Sequence, residues 1–176
     1  HLRSVTDEIL VLMEDGEAHR VSFSDNYRMM LDVPPLRQIS SLGSFPILLT
    51  MTGDVLMIPS TSDHDNFRYL SRIGDYQNYE NFIKVDISPI VRITCSESRI
   101  AALADDRVYY WGIPLFNEDE DLRFVLEIRC RDIKMKGSDL YFTTEEGLYL
   151  ADKHLDGNFE IKEIYPYADE TVEFDN

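Results

Sequence analysis

Residues 99–112 read Arg99-Ile100-Ala101-Ala102-Leu103-Ala104-Asp105-Asp106-Arg107-Val108-Tyr109-Tyr110-Trp111-Gly112. An apolar run meets the polar pair Asp105-Asp106 and gives way to a run of β-branched and aromatic residues. Two such runs across a tight polar turn predict a β-hairpin. Ile100, Ala101, Ala102 and Leu103 are apolar at successive positions, so the first strand is expected to be buried on both faces.

Working outward, three other segments follow the same plan. One runs Ile9-Leu10-Val11-Leu12, turns through Asp15-Gly16, and continues Ala18-His19-Arg20-Val21. A second runs Ile47-Leu48-Leu49, turns at Thr52-Gly53-Asp54, and continues Val55-Leu56-Met57-Ile58. The last runs Leu140-Tyr141-Phe142, turns at Glu146-Gly147, and continues Leu148-Tyr149-Leu150. Gly or Asp at each turn is expected to take the positive φ that costs those residues least. A strand precedes each of the last three hairpins: Leu36-Arg37-Gln38-Ile39, Val91-Arg92-Ile93-Thr94 and Ile133-Lys134-Met135-Lys136. A strand also follows each one: Tyr27-Arg28-Met29-Met30, then Phe67-Arg68-Tyr69-Leu70 or Phe82-Ile83-Lys84-Val85, then Phe124-Val125-Leu126, and finally Phe159 to Ile164, which alternates apolar and polar. No segment keeps a helical period over three turns. The units are approximately 5–33, 36–87, 90–130 and 131–167, in a single domain or part of one. Four-stranded units repeating at roughly 40–50 residues are the pattern of a β-propeller. The fold class is therefore all-β, a propeller-like array of about four four-stranded blades, with an incomplete ring as one form.

The third unit carries a more specific pattern. Cys95-Ser96-Glu97-Ser98-Arg99-Ile100-Ala101-Ala102-Leu103 resembles C-G-x-x-H-x-x-A-L, and Asp105-Asp106-Arg107-Val108-Tyr109-Tyr110-Trp111-Gly112 resembles D-G-x-V-Y-x-W-G. Together they resemble the repeat of the regulator of chromosome condensation family. Ser96 stands for the pattern's Gly and Arg99 for its His, and the other units keep only the apolar skeleton and the turn. The resemblance implies propeller blades and a role in binding proteins. None of the family's activities maps residue by residue onto this chain. Four units fall short of the family's usual ring. With His1 at the start, this suits an excerpt of a longer propeller, or a ring completed by another copy or another protein, better than a small closed ring.

The charge excludes several classes. Seventeen Lys and Arg against 33 Asp and Glu give a net charge of −16. Such a surface repels phosphate, so neither nucleic acid nor an anionic membrane is an expected partner. No apolar run approaches the ~20 residues of a membrane helix. Cys95 and Cys130 lie in strand-like contexts outside any CxxC or zinc spacing and read as free thiols. That expectation points to an intracellular, reducing compartment.

No catalytic constellation emerges. Asp63-His64-Asp65 sits in a polar loop and reads as solvated, and His19 and His154 read as surface positions near hairpins. Eight glycines are scattered without a phosphate-binding pattern. The run Glu118, Asp119, Glu120, Asp121 lacks calcium-loop spacing and reads as a solvated loop or a docking loop for a basic partner. Tyr76 and Tyr79 in the long loop of the second unit are the aromatic candidates for a protein interface. The expectation is a non-enzymatic protein–protein interaction module with no cofactor and no metal. Its partner would be a protein, a basic one by charge, with an oligomer or further propeller blades as additional associations. The alternative is a structural or assembly subunit, for example of a viral particle or large complex, whose blades are completed by neighbouring chains.

Overall fold

The computed structural model describes residues 2–5, 8–22, 26–42, 45–57, 78–79, 82–85, 87, 89–96, 99–112, 124–153 and 159–166. These residues form seventeen strands in four antiparallel sheets, and no helix occurs among them. Each sheet follows chain order from its first strand to its fourth, which is the up-and-down connectivity of a propeller blade. The chain divides into two compact units, residues 1–90 and 91–176, with two blades in each.

In the first unit, blade 1 is β1 (Leu2–Val5), β2 (Glu8–Leu12), β3 (Ala18–Ser22) and β4 (Tyr27–Met30). Blade 2 is β5 (Leu36–Leu42), β6 (Phe45–Thr50), β7 (Val55–Met57) and β9 (Phe82–Val85), with a two-residue fifth strand, β8 (Asn78–Tyr79), outside β9. Leu10, Ala18 and Leu31 of blade 1 pack with Leu36, Ile39, Leu48 and Leu56 of blade 2. A four-stranded sheet cannot bury both faces by itself, and sheet-on-sheet packing supplies the cover.

In the second unit, blade 3 is β10 (Arg92–Cys95), β11 (Arg99–Leu103), β12 (Val108–Gly112) and β13 (Phe124–Leu126). Blade 4 is β14 (Asp132–Lys136), β15 (Asp139–Thr143), β16 (Gly147–Lys153) and β17 (Phe159–Pro166). Ala101, Leu103, Val108 and Tyr110 of blade 3 pack with Ile133, Met135, Leu140 and Phe142 of blade 4. Polar contacts set the register of the two sheets. The Tyr110 hydroxyl donates to the Ser138 carbonyl (3.0 Å), and the Met135 amide donates to Thr94 Oγ1 (3.1 Å). Arg92 Nη1 lies 2.6 Å from Oδ1 of the buried Asp132, joining the two first strands. Phe142 stacks on its cross-strand partner Tyr149 with ring centroids 5.4 Å apart.

The expected double burial of β11 and β6 is present, since Ile100, Ala101, Ala102, Ile47, Leu48 and Leu49 are all inaccessible to solvent. Other expectations are corrected. Blade 1 has its own first strand, β1, which its short mixed sequence hid. His19 is buried rather than on the surface, because β3 is an inner strand flanked by β2 and β4. β17 does not alternate in burial. Ile161 and Ile164 are exposed with their charged neighbours, and β17 is the outermost strand of its sheet. Residues 67–70 lie outside the described residues, and β9 supplies the fourth strand of blade 2.

Candidate functional site

The hairpin turns between the second and third strands fall into two kinds. In blades 1 and 2 the loop has three residues, 14–16 and 51–53. Met13 N–H donates to the Glu17 carbonyl (2.9 Å) and Thr50 N–H to the Asp54 carbonyl (2.9 Å). Each loop ends on a left-handed glycine, Gly16 at φ +90 and Gly53 at φ +88. This is the three-residue hairpin closed by a left-handed residue. In blades 3 and 4 the loop has two residues, 105–106 and 145–146. Ala104 N–H donates to the Arg107 carbonyl (2.9 Å) and Thr144 N–H to the Gly147 carbonyl (3.0 Å). None of these loop residues has positive φ, which corrects the expectation that Gly or Asp serves each turn in that way. Gly147 is needed for a different reason. A Cβ there would lie 2.5 Å from the Tyr165 carbonyl oxygen, so its bare backbone lets β17 pass.

The extra residue changes what the turn reaches. The Gly16 carbonyl accepts from Leu36 N–H (2.8 Å), and the Gly53 carbonyl accepts from Ile90 N–H (2.8 Å). The turn thus closes against the chain entering the next first strand. At the corresponding place after blade 3 stands Cys130: Val91 N–H and Arg131 N–H donate in the same way to Leu103 and Thr143, so Ile90 and Cys130 occupy equivalent positions. The shorter 105–106 turn makes no backbone hydrogen bond to Cys130, and a cleft of about 880 Å³ opens there within the second unit. That volume is in the range of small-molecule and cofactor pockets, roughly 300–1,000 Å³.

The cleft has an apolar floor and a charged rim. Its apolar lining includes the buried Leu103 and Phe142 and the half-buried Ile128 and Tyr149. Val91, 39% exposed, and Ile161, 45% exposed, lie along it and present apolar surface to solvent. Asp105, Arg129, Arg131, Glu145 and Glu146 carry the charges of the lining. Arg131 pairs with Glu145 at 3.6 Å, a contact between exposed groups. Asp105, Glu146 and Arg129 form no ion pair among the described residues. Cys130 is the one thiol in the lining, half-buried, and its S–H donates to the Ile128 carbonyl (3.5 Å). Burial pushes this thiol up to about 12, so it stays protonated and lacks the thiolate that nucleophilic chemistry requires. Among the described residues, no histidine lines the cleft and no group of three or more metal-ligating side chains occurs.

Of the residues singled out from sequence, Tyr76, Glu118, Asp119, Glu120 and Asp121 lie outside the described residues, as does His64. Tyr79 falls in β8, opposite Phe82. Neither Cys95 nor Cys130 is in a disulfide. Sequence reasoning missed the cleft. Its one signal was the difference in loop length between Glu14-Asp15-Gly16 and Asp105-Asp106.

No family model matches the chain, and no curated protein matches it. Solved structures do. Human WBSCR16 superposes with a TM-score of 0.61 at 15% identity, over 95% of this chain and 52% of that one. PorZ of Porphyromonas gingivalis, a surface component of the type-IX secretion system, gives 0.62 at 15% identity over 96% of this chain and 21% of its own. Prp20p of Saccharomyces cerevisiae, studied for its binding to Gsp1p and histones, gives 0.56 at 12% identity over 86% and 44%. The chain thus spans about half the length of WBSCR16 and less of the other two. Propellers like the regulator of chromosome condensation are among these structures, and at such identities the likeness is one of fold: the chain is built of β-propeller blades.

Proposed function

We propose that this chain is a non-enzymatic protein–protein interaction module built on blades of the regulator-of-chromosome-condensation type. The observation that carries this reading is the cleft at the blade 3–blade 4 hairpin turns. It combines exposed apolar side chains with unpaired rim charges and holds its only thiol protonated. That is the chemistry of recognition rather than of bond making. A fold shared with Prp20p, whose binding to Gsp1p and histones has been studied, supports the same reading. Two cysteines outside any disulfide favour a reducing, intracellular setting. The test is a photo-crosslinker placed at Arg131 or Glu145, exposed residues of the lining, in the whole chain in its native cells. Ser138, in the turn at the opposite end of blade 4, serves as the control position. A discrete protein adduct from the cleft positions supports the module. Absence of adducts from both ends overturns it.

A second reading has its own observation. Ile161, Ile164 and Tyr165 of β17 are exposed along a strand eight residues long, an edge that a neighbouring chain could cover in an assembly subunit. Light scattering on the purified chain separates the two: a monomer at micromolar concentration favours the module, and obligate association favours assembly.

A further inference from the structure

The cleft is bounded by residues at or beside all four strands of blade 4: Arg131 before β14, Phe142 in β15, Tyr149 in β16 and Ile161 in β17. It therefore runs across the sheet, from its first strand to its last. Strands lie about 4.8 Å apart, so four of them span about 14 Å, the length of roughly four extended residues. A cleft that reaches across four strands and takes apolar side chains from three successive ones, Phe142, Tyr149 and Ile161, fits an extended chain better than a compact metabolite. Val91 and Ile161 are apolar side chains left in water along it, and a ligand's own apolar side chains would remove them from solvent.

Charge decides which extended chain fits. Asp105 and Glu146, the two lining carboxylates with no ion pair among the described residues, sit in the turns of blades 3 and 4 that flank the cleft. The whole chain adds a net charge of −16, which draws cations and repels acidic segments at long range. Arg129 is a lining cation with no ion pair among the described residues. Its guanidinium carries N–H donors and no acceptor, so it is suited to the carbonyl oxygens of a peptide backbone, which are neutral and present in any sequence.

We infer that this cleft binds an extended peptide segment of four to six residues, apolar in the middle and carrying a Lys or Arg at one end, an inference that rests on the interaction-module reading above. The apolar side chains lie against Val91, Ile128, Tyr149 and Ile161. The basic side chain meets Asp105 and Glu146, and Arg129 donates to the peptide backbone.

The test uses a random hexapeptide library displayed on phage and selected against the whole chain. The enriched peptides are then synthesised with a fluorophore, and binding is read by anisotropy. The expected consensus is apolar residues beside a Lys or Arg. The double variant Asp105→Lys, Glu146→Lys is expected to weaken binding at least tenfold. A peptide with its basic residue changed to Glu is expected to bind that double variant better than it binds the parent, a reversal that a general loss of folding would not produce. Ile161→Lys is expected to weaken binding about fivefold. Ile164→Lys, the same change on the same strand at an exposed residue outside the lining, is expected to leave it unchanged. An acidic consensus, or affinities that ignore both cleft variants, overturns the cleft proposal while leaving the module reading standing. No enrichment also overturns it, and the module reading is then decided by the crosslinks.

Discussion

Gly53 shows how much structure one residue can hold. Its φ of +88 lies where a side chain is strained, and an added Cβ would stand 2.9 Å from the Ile90 amide nitrogen. Gly53→Ala therefore meets two costs, left-handed backbone at roughly 1–2 kcal/mol and a backbone clash that nothing flexible can relieve. A loss of about 2 kcal/mol or more in urea unfolding is expected. Gly137 is the control. It too is left-handed, at φ +61, but nothing lies within 4 Å of its Cβ position, so Gly137→Asn should cost under about 1 kcal/mol. Equal losses at the two sites would mean that the approach of Ile90 contributes nothing. Beside Gly53, Asp54 accepts from Lys84 Nζ (2.6 Å) and from Thr52 Oγ1 (2.9 Å), and the lysine holds its carboxyl below the usual 3.8. A lowered folded value means that the stabilisation is fully present above about pH 4 and is lost as pH falls through the lowered value. Asp54→Asn should lower the unfolding midpoint at pH 6, and the gap to the parent chain should close as the pH is taken toward 2. A gap that persists at pH 2 would assign the loss to packing instead of charge.

At the scale of elements, one loop residue separates a closed blade junction from an open one. Inserting a glycine after Asp106 gives the third hairpin the three-residue form of the first two. The new carbonyl is then expected to reach the Cys130 amide as Gly16 reaches Leu36 and Gly53 reaches Ile90. Amide exchange at Cys130 should slow by about tenfold, and peptide binding should be lost. Unchanged exchange together with unchanged binding would show that loop length does not govern the cleft. This difference was present in the sequence but not readable there, because a loop's length says nothing about what its carbonyl meets across space. The strands were readable for the opposite reason. Burial on both faces leaves an unbroken apolar run, as at Ile100 to Leu103, and burial on one face leaves alternation, so the pattern of each blade is local to its own residues. Where burial depends on partners distant in sequence, the reading failed. His19 looks like a surface residue beside a turn until β2 and β4 close on both sides of its strand. Gly147 looks like a turn glycine until β17 passes 2.5 Å from where its Cβ would be. Phe159 and Ile161 alternate with charged residues as a half-buried strand would, yet Ile161 is exposed on the outermost strand of its sheet.

For the whole molecule the governing quantity is the net charge of −16, which acts in opposite directions on folding and on binding. Like charges on a folded chain repel, so excess charge destabilises the compact state. Raising the ionic strength from 0.01 M to 0.1 M shortens the screening length from about 30 Å to about 10 Å, which removes most of the repulsion between distant carboxylates. Stability should therefore rise with salt. The attraction that draws a basic peptide toward Asp105 and Glu146 is screened by the same ions, and because these are exposed groups it is screened almost in full. Affinity for a basic peptide should therefore fall by about threefold or more over the same range, mainly through a slower association rate. Thermal unfolding and stopped-flow binding, run in the same salt series, check both signs at once. The apolar contacts with Val91 and Ile161 are insensitive to salt over this range, so what affinity remains at 0.1 M measures the floor of the cleft. If stability and affinity moved together, salt would be acting on the fold of the cleft itself, and rim charges would not be what selects the peptide.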